Sequence, residues 1–166
     1  PPRLRRGVLR RTRLETRLAT ALDYPLTIVQ AGTGYGKSTA LSALSDSVEQ
    51  LAWYTITEPD RDPLLFLAHL VSAFDRLEST WTIPALGALE STGGLVAPTA
   101  LTPLLNCLTQ ELDQEAVLVL DDYHLVDDVP EISALVERLV DYAPPRLHVV
   151  LSSRQMPPLV GLTRWR

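Results

Sequence analysis

The residues from Gln30 to Leu41, QAGTGYGKSTAL, combine glycines, a lysine and hydroxyl side chains in the spacing of a phosphate-binding loop. Lys37 is the only lysine of the chain, since the other 14 of its 15 basic residues are arginines. A compact ammonium on a flexible stem can reach terminal phosphates, whereas a planar guanidinium is larger and has a different donor geometry. The stretch therefore predicts a site for the phosphates of a nucleotide.

The contacts expected from this loop come from its backbone and from a few side chains. Glycines let the backbone turn tightly and point N–H groups at an anion, and the helix that follows adds its positive N-terminal end. Ser38 offers a hydroxyl to Mg²⁺, and Thr39 can approach the inner phosphates. The common pattern begins with glycine where this chain has Ala31, which is small enough for that turn. The predicted binding set is Ala31, Gly32, Thr33, Gly34, Tyr35, Gly36, Lys37, Ser38 and Thr39.

Three charged side chains follow apolar runs elsewhere in the chain. Asp121 and Asp122 end the run VLVLDD, and Arg154 follows VVLSS. We expect Asp121 to bind Mg²⁺ through its water shell and Asp122 to orient or deprotonate an attacking water. Arg154 is expected to contact the γ-phosphate, because strand ends at this edge of an open α/β sheet face the ligand. The predicted catalytic set is Lys37, Asp122 and Arg154, and the predicted metal ligands are Ser38 and Asp121.

Short β-branched runs alternate with amphipathic patterns along the chain, which predicts an α/β fold with a mainly parallel sheet. The predicted strands cover residues 26–29, 51–57, 116–120 and 147–151. The predicted helices cover about 13–22, 37–49, 63–77, 99–114 and 130–142, and residues 79–98 are expected to be rich in loops. Glu58 and Asp60 end the second strand, where a solvated turn is expected. His69, His124 and His148 have no metal-ligand spacing and are expected to be structural.

The composition limits the class of protein. With 166 residues and 46% apolar residues the chain fits one globular domain, and no apolar run approaches the roughly 18 residues of a membrane helix. A lone Cys107 and the lack of a signal-peptide pattern predict a cytoplasmic protein. Residues 1–17 hold seven arginines, so we separate a basic segment, 1–12, from the domain, 13–166. The abrupt ends of the chain indicate a fragment of a longer protein.

Four stretches resemble the nucleotide-binding domain of the MalT-like family, large LuxR-type regulators within the STAND class of signal-transduction ATPases. They are AGTGYGKST, WYTITEPDRDPLLFLAHL, VLVLDDYHLVDD and VVLSSRQMPPL. The resemblance covers about residues 7–164, and its second half is more specific than the phosphate loop. It implies a P-loop NTPase three-layer α/β/α sandwich of the additional-strand type, in which another strand separates the phosphate-loop strand from that of Asp121. Only four of its five strands are visible, so the last is expected to be missing.

The resemblance also implies a switch. ADP would hold the protein monomeric and inert, whereas ATP would permit self-association in the full-length protein, and slow Mg²⁺-dependent hydrolysis would reset it. DNA would be bound only through a C-terminal domain that this chain lacks, and no membrane would be involved. The segment VLRRTRL is similar to the family's segment near the nucleotide. It adds Val8, Leu9 and Arg11 to the expected ATP/ADP contacts.

Three alternatives stay open. A P-loop small-molecule kinase would need an acceptor site and an arginine-rich lid, and no such lid is visible between the second helix and Asp121. A non-catalytic interaction domain would not need the Lys37, Ser38, Asp121 and Asp122 set. An oligomeric motor ATPase would need an arginine finger, for which Arg146 or Arg154 could be mistaken.

Overall fold

The computed structural model describes residues 20–42, 48–77, 98–163, Gly87 and Trp165. Within them, four strands form one parallel sheet: β1 (Leu26–Gln30), β2 (Gln50–Thr55), β3 (Ala116–Asp121) and β4 (Leu147–Ser153). The strand order is β1-β4-β3-β2, so β4 lies between the phosphate-loop strand and the strand that carries Asp121. This order confirms the mainly parallel sheet and the additional strand that were predicted.

Helices cover both faces of the sheet, because alternate side chains of a central strand are buried on opposite sides. The α-helices are α1 (Lys37–Ser42), α2 (Pro63–Ala73), α3 (Thr102–Glu111) and α4 (Pro130–Tyr142). Leu118 and Leu120 of β3 join the large core that includes α2, α3 and α4. Val117 and Val119 face the smaller core with Leu41 of α1. The three-layer arrangement thus follows from β3, which is buried along its whole length.

Several predicted boundaries are wrong by a few residues. The second helix was expected to reach about 49, yet residues 48 and 49 are not helical, and 43–47 lie outside the described residues. Helices predicted at 63–77 and 99–114 are shorter, with 3-10 turns at Phe74–Arg76 and Pro98–Leu101. β2 ends at Thr55 rather than 57, whereas β3 and β4 extend to Asp121 and Ser153. Local tightening and fraying decide such ends, and the hydrophobic period does not record them.

Parts of the prediction fall on residues that the structure does not describe. Most of the predicted helix 13–22 lies there, and its described end belongs to a 3-10 helix, Thr20–Asp23. The basic segment 1–12 and most of the loop-rich region 79–98 lie outside as well. After β4, the described residues hold a 3-10 helix, Val160–Thr163, and no fifth strand. Glu137 of α4 holds this helix by accepting hydrogen bonds from the N–H groups of Val160 and Gly161.

Candidate functional site

The carboxyl ends of β1, β3 and β4 bring the predicted residues to one edge of the sheet. Gln30 is in register with Ser153, and the N–H of Ala31 donates to Ser153 O at 3.2 Å. Leu120 is in register with Leu151, so Asp121 is level with the end of β4. The phosphate loop, the Asp121–Asp122 pair and Arg154 therefore begin at adjacent strand ends, where ligands bind in open α/β sheets.

Two glycines of the phosphate loop have a backbone conformation that favours glycine. Gly34 and Gly36 have φ of 80° and 77°, in the left-handed region that glycine enters without strain. A Cβ on Gly32 would meet only the ring of Tyr35, at 3.4 Å. The prediction that the loop turns tightly is confirmed at Gly34 and Gly36, which carry the special conformation.

The ammonium of Lys37 lies over its own loop. Nζ donates to Ala31 O at 2.6 Å and to Gly32 O at 3.3 Å. Ala31 takes part through its carbonyl oxygen, which is the same atom in alanine and glycine, so the departure from the common pattern leaves this contact intact. The positive charge of Lys37 is thus held at the loop, where an incoming phosphate could exchange with the two carbonyl oxygens.

The remaining loop residues differ in exposure. Ser38 is half-buried at the start of α1, whereas Thr33 and Thr39 are exposed. Tyr35 projects from the loop with 72% of its surface exposed, as the largest apolar group there. Val8, Leu9 and Arg11 lie outside the described residues.

Asp121 and Asp122 are adjacent in the chain but have different environments. Asp121 is the last residue of β3, is 3% exposed, and its Oδ1 accepts from the N–H of Asp122 at 3.1 Å. Asp122 has φ 61° and ψ 37° and precedes a 3-10 helix, Tyr123–Leu125. Left-handed backbone at a residue other than glycine is uncommon and clusters at functional sites, although aspartate tolerates it better than most. Its side chain is 38% exposed, so it faces the solvent side of the edge.

His124 is a member of this edge that sequence reasoning classed as structural. Its side chain is 9% exposed, and Nδ1 lies 3.9 Å from Asp122 Oδ1. Neither ring nitrogen has a hydrogen-bond partner among the described residues. Burial, then the charges of Arg154 and Lys37, lower the pKa of His124 against the opposing effect of Asp122. A neutral imidazole with unpartnered nitrogens therefore sits among the predicted catalytic groups.

Arg154 follows β4 directly and is exposed. Its charge lowers the pKa of His124, which lies in the turn after β3. Arg146, the other candidate for an arginine finger, precedes β4 at the opposite edge of the sheet and donates to Asp113 O. The structure thus brings Arg154, and not Arg146, to the edge with Lys37 and Asp122.

The turn after β2 differs from the expected solvated turn. Glu58 is exposed, but Asp60 is only 1% exposed. The Asp60 carboxylate accepts from Thr57 N at 2.6 Å and Thr57 Oγ1 at 2.7 Å, and it pairs with His69. Burial by itself raises the pKa of Asp60, but these hydrogen bonds outweigh it, so that pKa is lowered. Asp60 closes the turn instead of facing water.

The other two histidines, which were expected to be structural, have structural surroundings. The ring of His69 lies edge-on to the ring of Tyr54, a buried residue of β2, with the ring centroids 6.0 Å apart. His148 is buried, and its two ring nitrogens contact Tyr24 O and Glu115 Oε2. His148 and His69 are therefore structural, as expected, and His124 is the exception. Its position two residues after Asp122, in a turn that follows a buried strand, was the signal that could have revealed it.

A magnesium site here would have to include the nucleotide. Among the described residues, no group of three or more histidine, cysteine, aspartate or glutamate side chains could hold a metal ion. Asp121 and Ser38 offer one carboxylate and one hydroxyl. This small oxygen set fits Mg²⁺, which usually keeps waters and takes phosphate oxygens beside one or two carboxylates.

The parallel sheet with the β1-β4-β3-β2 order and a glycine loop before α1 defines a P-loop α/β domain. Among solved structures, the Walker-type ATPase PABY2304 of Pyrococcus abyssi has this fold, with a TM-score of 0.64 at 19% identity. The similarity covers 93% of this chain and 48% of that one. No protein-family model matches the chain.

Curated relatives identify the type of domain. The HTH-type transcriptional regulator MalT of Serratia proteamaculans is 33% identical over 160 residues, and that of Yersinia enterocolitica is 30% identical over 159 residues. Each match covers 96% of this chain, which spans 17% of the length of these relatives. The chain therefore matches a domain of the MalT-like regulators over nearly its whole length, as its motifs predicted. None of its described helices is long and apolar enough to cross a membrane.

Proposed function

We propose that this chain is an ATP- and ADP-binding switch domain that hydrolyses ATP slowly, as part of a MalT-like transcription regulator. The observation that carries the proposal is the Lys37 ammonium, held over the loop of Gly34 and Gly36 at the strand edge that also carries Asp121 and Arg154. In this proposal the loop N–H groups and Lys37 bind the phosphates, with Lys37 exchanging its carbonyl partners for phosphate oxygens.

Ser38 and Asp121 are the residues that would hold Mg²⁺, which would neutralise charge on the phosphate oxygens. Asp122 would accept a hydrogen bond from the attacking water and take its proton as oxygen bonds to the γ-phosphorus, releasing ADP and phosphate. Neutral His124, 3.9 Å from Asp122, would limit the positions available to that carboxylate. Arg154 would bind the γ-phosphate and so distinguish ATP from ADP.

The exposure of Asp122 supports the slow turnover proposed here. Its side chain is 38% exposed and faces solvent. A site open to water loses much of the electrostatic stabilisation that a closed one provides. Slow hydrolysis suits a switch, because the ATP state must last long enough to act. Self-association in the ATP state, DNA binding through a separate domain and a cytoplasmic location belong to the same proposal.

A P-loop kinase and a non-catalytic binding domain are the competing functions. Calorimetric titration with ADP and with ATP·Mg²⁺ tests the proposal, with Lys37→Ala as the variant and Arg146→Ala as the matched control at the opposite sheet edge. Loss of charged hydrogen bonds should weaken binding roughly 10- to 150-fold in Lys37→Ala and leave the control unchanged.

Phosphate release in the absence of any acceptor then separates a hydrolase from a kinase. Nucleotide binding without phosphate release would favour the non-catalytic domain, and transfer to an added small-molecule acceptor would favour the kinase. If the wild type bound neither nucleotide, the proposed function would be wrong.

A further inference from the structure

A side-chain hydrogen bond joins the turn after β3 to the turn after β4. Gln155 Nε2 donates to Asp127 Oδ2 at 3.0 Å, across 28 positions of sequence. Asp127 is only 5% exposed, and a buried carboxylate is costly unless it is hydrogen-bonded. The bond therefore connects two loops at the candidate site by a contact that neither loop could make alone.

The two ends of this bond lie next to different parts of the proposed machinery. Asp127 follows the turn of Asp122 and His124, and its charge acts on the pKa of His124. Gln155 follows Arg154 directly, and its own N–H donates to Ser153 Oγ at 3.3 Å, at the end of β4. The bond thus joins the loop that begins with Arg154 to the turn that begins with Asp122.

The turn after β3 does not need Gln155 for its own shape. Its backbone is closed by hydrogen bonds from Leu125 N to Asp122 O at 3.1 Å and from Val126 N to Tyr123 O at 3.0 Å. Arg61 also braces it from the β2 side. The bond from Gln155 instead restrains the distance between the loop after β3 and the loop after β4.

We propose that Asp127 and Gln155 are positioning residues that hold Arg154 at the distance from Asp122 at which a γ-phosphate is sensed and hydrolysed. This inference rests on the proposed function. Strand pairing aligns the ends of β3 and β4, and the hydrogen bond is the side-chain link between the loops beyond them. When it breaks, Arg154 keeps its charge but loses this restraint. Displacement of a catalytic group by about 1 Å can lower a rate roughly 100-fold.

The variant of choice is Gln155→Ala, because Gln155 is exposed and its replacement removes the side-chain donor of the bond to Asp127. We expect phosphate release to fall about 10- to 100-fold, ATP affinity to fall towards ADP affinity, and ADP affinity to change less than about twofold. Asp127→Asn keeps a carbonyl oxygen that can accept from Gln155, so it should retain most of the activity. Gln110→Ala, on the exposed surface of α3, is the matched glutamine control.

A double-mutant cycle with Arg154→Ala separates positioning from a general structural role. If Gln155 acts through Arg154, the double variant should be no slower than Arg154→Ala alone, whereas independent effects would multiply. Multiplied effects, or a Gln155→Ala variant within about twofold of the wild type, would overturn the inference while leaving the proposed function in place.

A readout without nucleotide makes the inference testable even if the proposed function fails. Arg154 and Lys37 lower the pKa of His124, opposed by Asp122 and Asp127. In Gln155→Ala, a displaced Arg154 should let the pKa of His124 rise towards its ordinary value, as measured by NMR titration with His69 and His148 as internal references. An unchanged His124 titration would contradict the link between Gln155 and Arg154 directly.

Discussion

Asp60 and His69 are joined by a 2.7 Å hydrogen bond between a carboxylate that is 1% exposed and a ring that is 49% exposed. The carboxylate also accepts two hydrogen bonds from Thr57, so it ties α2 to the turn after β2. The N–H of Ile56, next to Thr57, donates to Asp121 O at 2.9 Å. The Asp60–His69 pair therefore supports the part of the chain that lies against the end of β3.

Replacement of Asp60 by alanine should lower the free energy of unfolding by about 1–3 kcal/mol, because the partners on Thr57 lose their acceptor. Urea unfolding measures this change. Glu58→Ala, an exposed carboxylate of the same turn, is the matched control and should change stability by less than about 0.5 kcal/mol. Equal effects of the two substitutions would show that Asp60 has no special role.

The same pair predicts a pH dependence of stability. Since the pKa of Asp60 is lowered in the folded state, its contribution is present above the ordinary aspartate pKa of about 3.9 and is lost as the pH falls through the folded value. Wild-type stability should therefore fall more steeply below about pH 4 than that of Asp60→Asn. Parallel stability curves for the two proteins over this acid range would contradict the prediction.

Two substitutions at Asp122 distinguish the role of its charge from the role of its left-handed backbone. Asparagine tolerates the left-handed conformation, so Asp122→Asn should keep stability and nucleotide binding while phosphate release falls at least about 100-fold. Alanine should remove hydrolysis equally and also lower stability, by about 1 kcal/mol. Phosphate-release assays and urea unfolding give the two readouts. Full hydrolysis by Asp122→Asn would exclude Asp122 as the group that takes the proton of the attacking water.

Alanine substitutions at the loop glycines test the backbone conformation of the phosphate loop, with Gly32 as the internal control. A Cβ added at Gly34 or Gly36 would meet no atom within 4 Å, but alanine would be held at φ near 80° or 77°. This conformation costs about 1–2 kcal/mol for alanine. We expect both variants to lose ADP affinity in calorimetry without losing the global fold. Gly32→Ala, which lacks the positive φ and meets only the exposed Tyr35 ring, should lose less. A larger loss at Gly32 than at Gly34 and Gly36 would contradict the backbone argument.

The ion pair of Arg61 and Asp128 is expected to contribute little to stability. Their bidentate contacts are 2.7 and 2.9 Å, yet the side chains are 43% and 63% exposed. Solvent and salt screen exposed ion pairs, so Arg61→Ala should change the urea midpoint little, and less at high salt. A loss of ATP affinity comparable to that of Gln155→Ala would show that this brace also positions the site.

Most of the fold could be predicted from local patterns of residues in the sequence. The run at β3, AVLVLD, is apolar at every position before Asp121, so its burial on both faces could be predicted from its residues alone. Pro130 at the first turn of α4 and the apolar spacing after it predicted that helix with correct bounds. The end of α1 could not be predicted in this way, because the apolar spacing continues to Val48 although the helix does not.

The sequence by itself determined the phosphate loop and the alternation of strands and helices, because glycine conformation, hydrophobic period and capping act over a few neighbouring residues. Only the tertiary structure decided which distant side chains meet. The insertion of β4 between β1 and β3 brings Gln155 to Asp127 and His124 into the field of Lys37 and Arg154. Such contacts depend on strand order and on the burial that packing creates, and no local pattern of residues records either one.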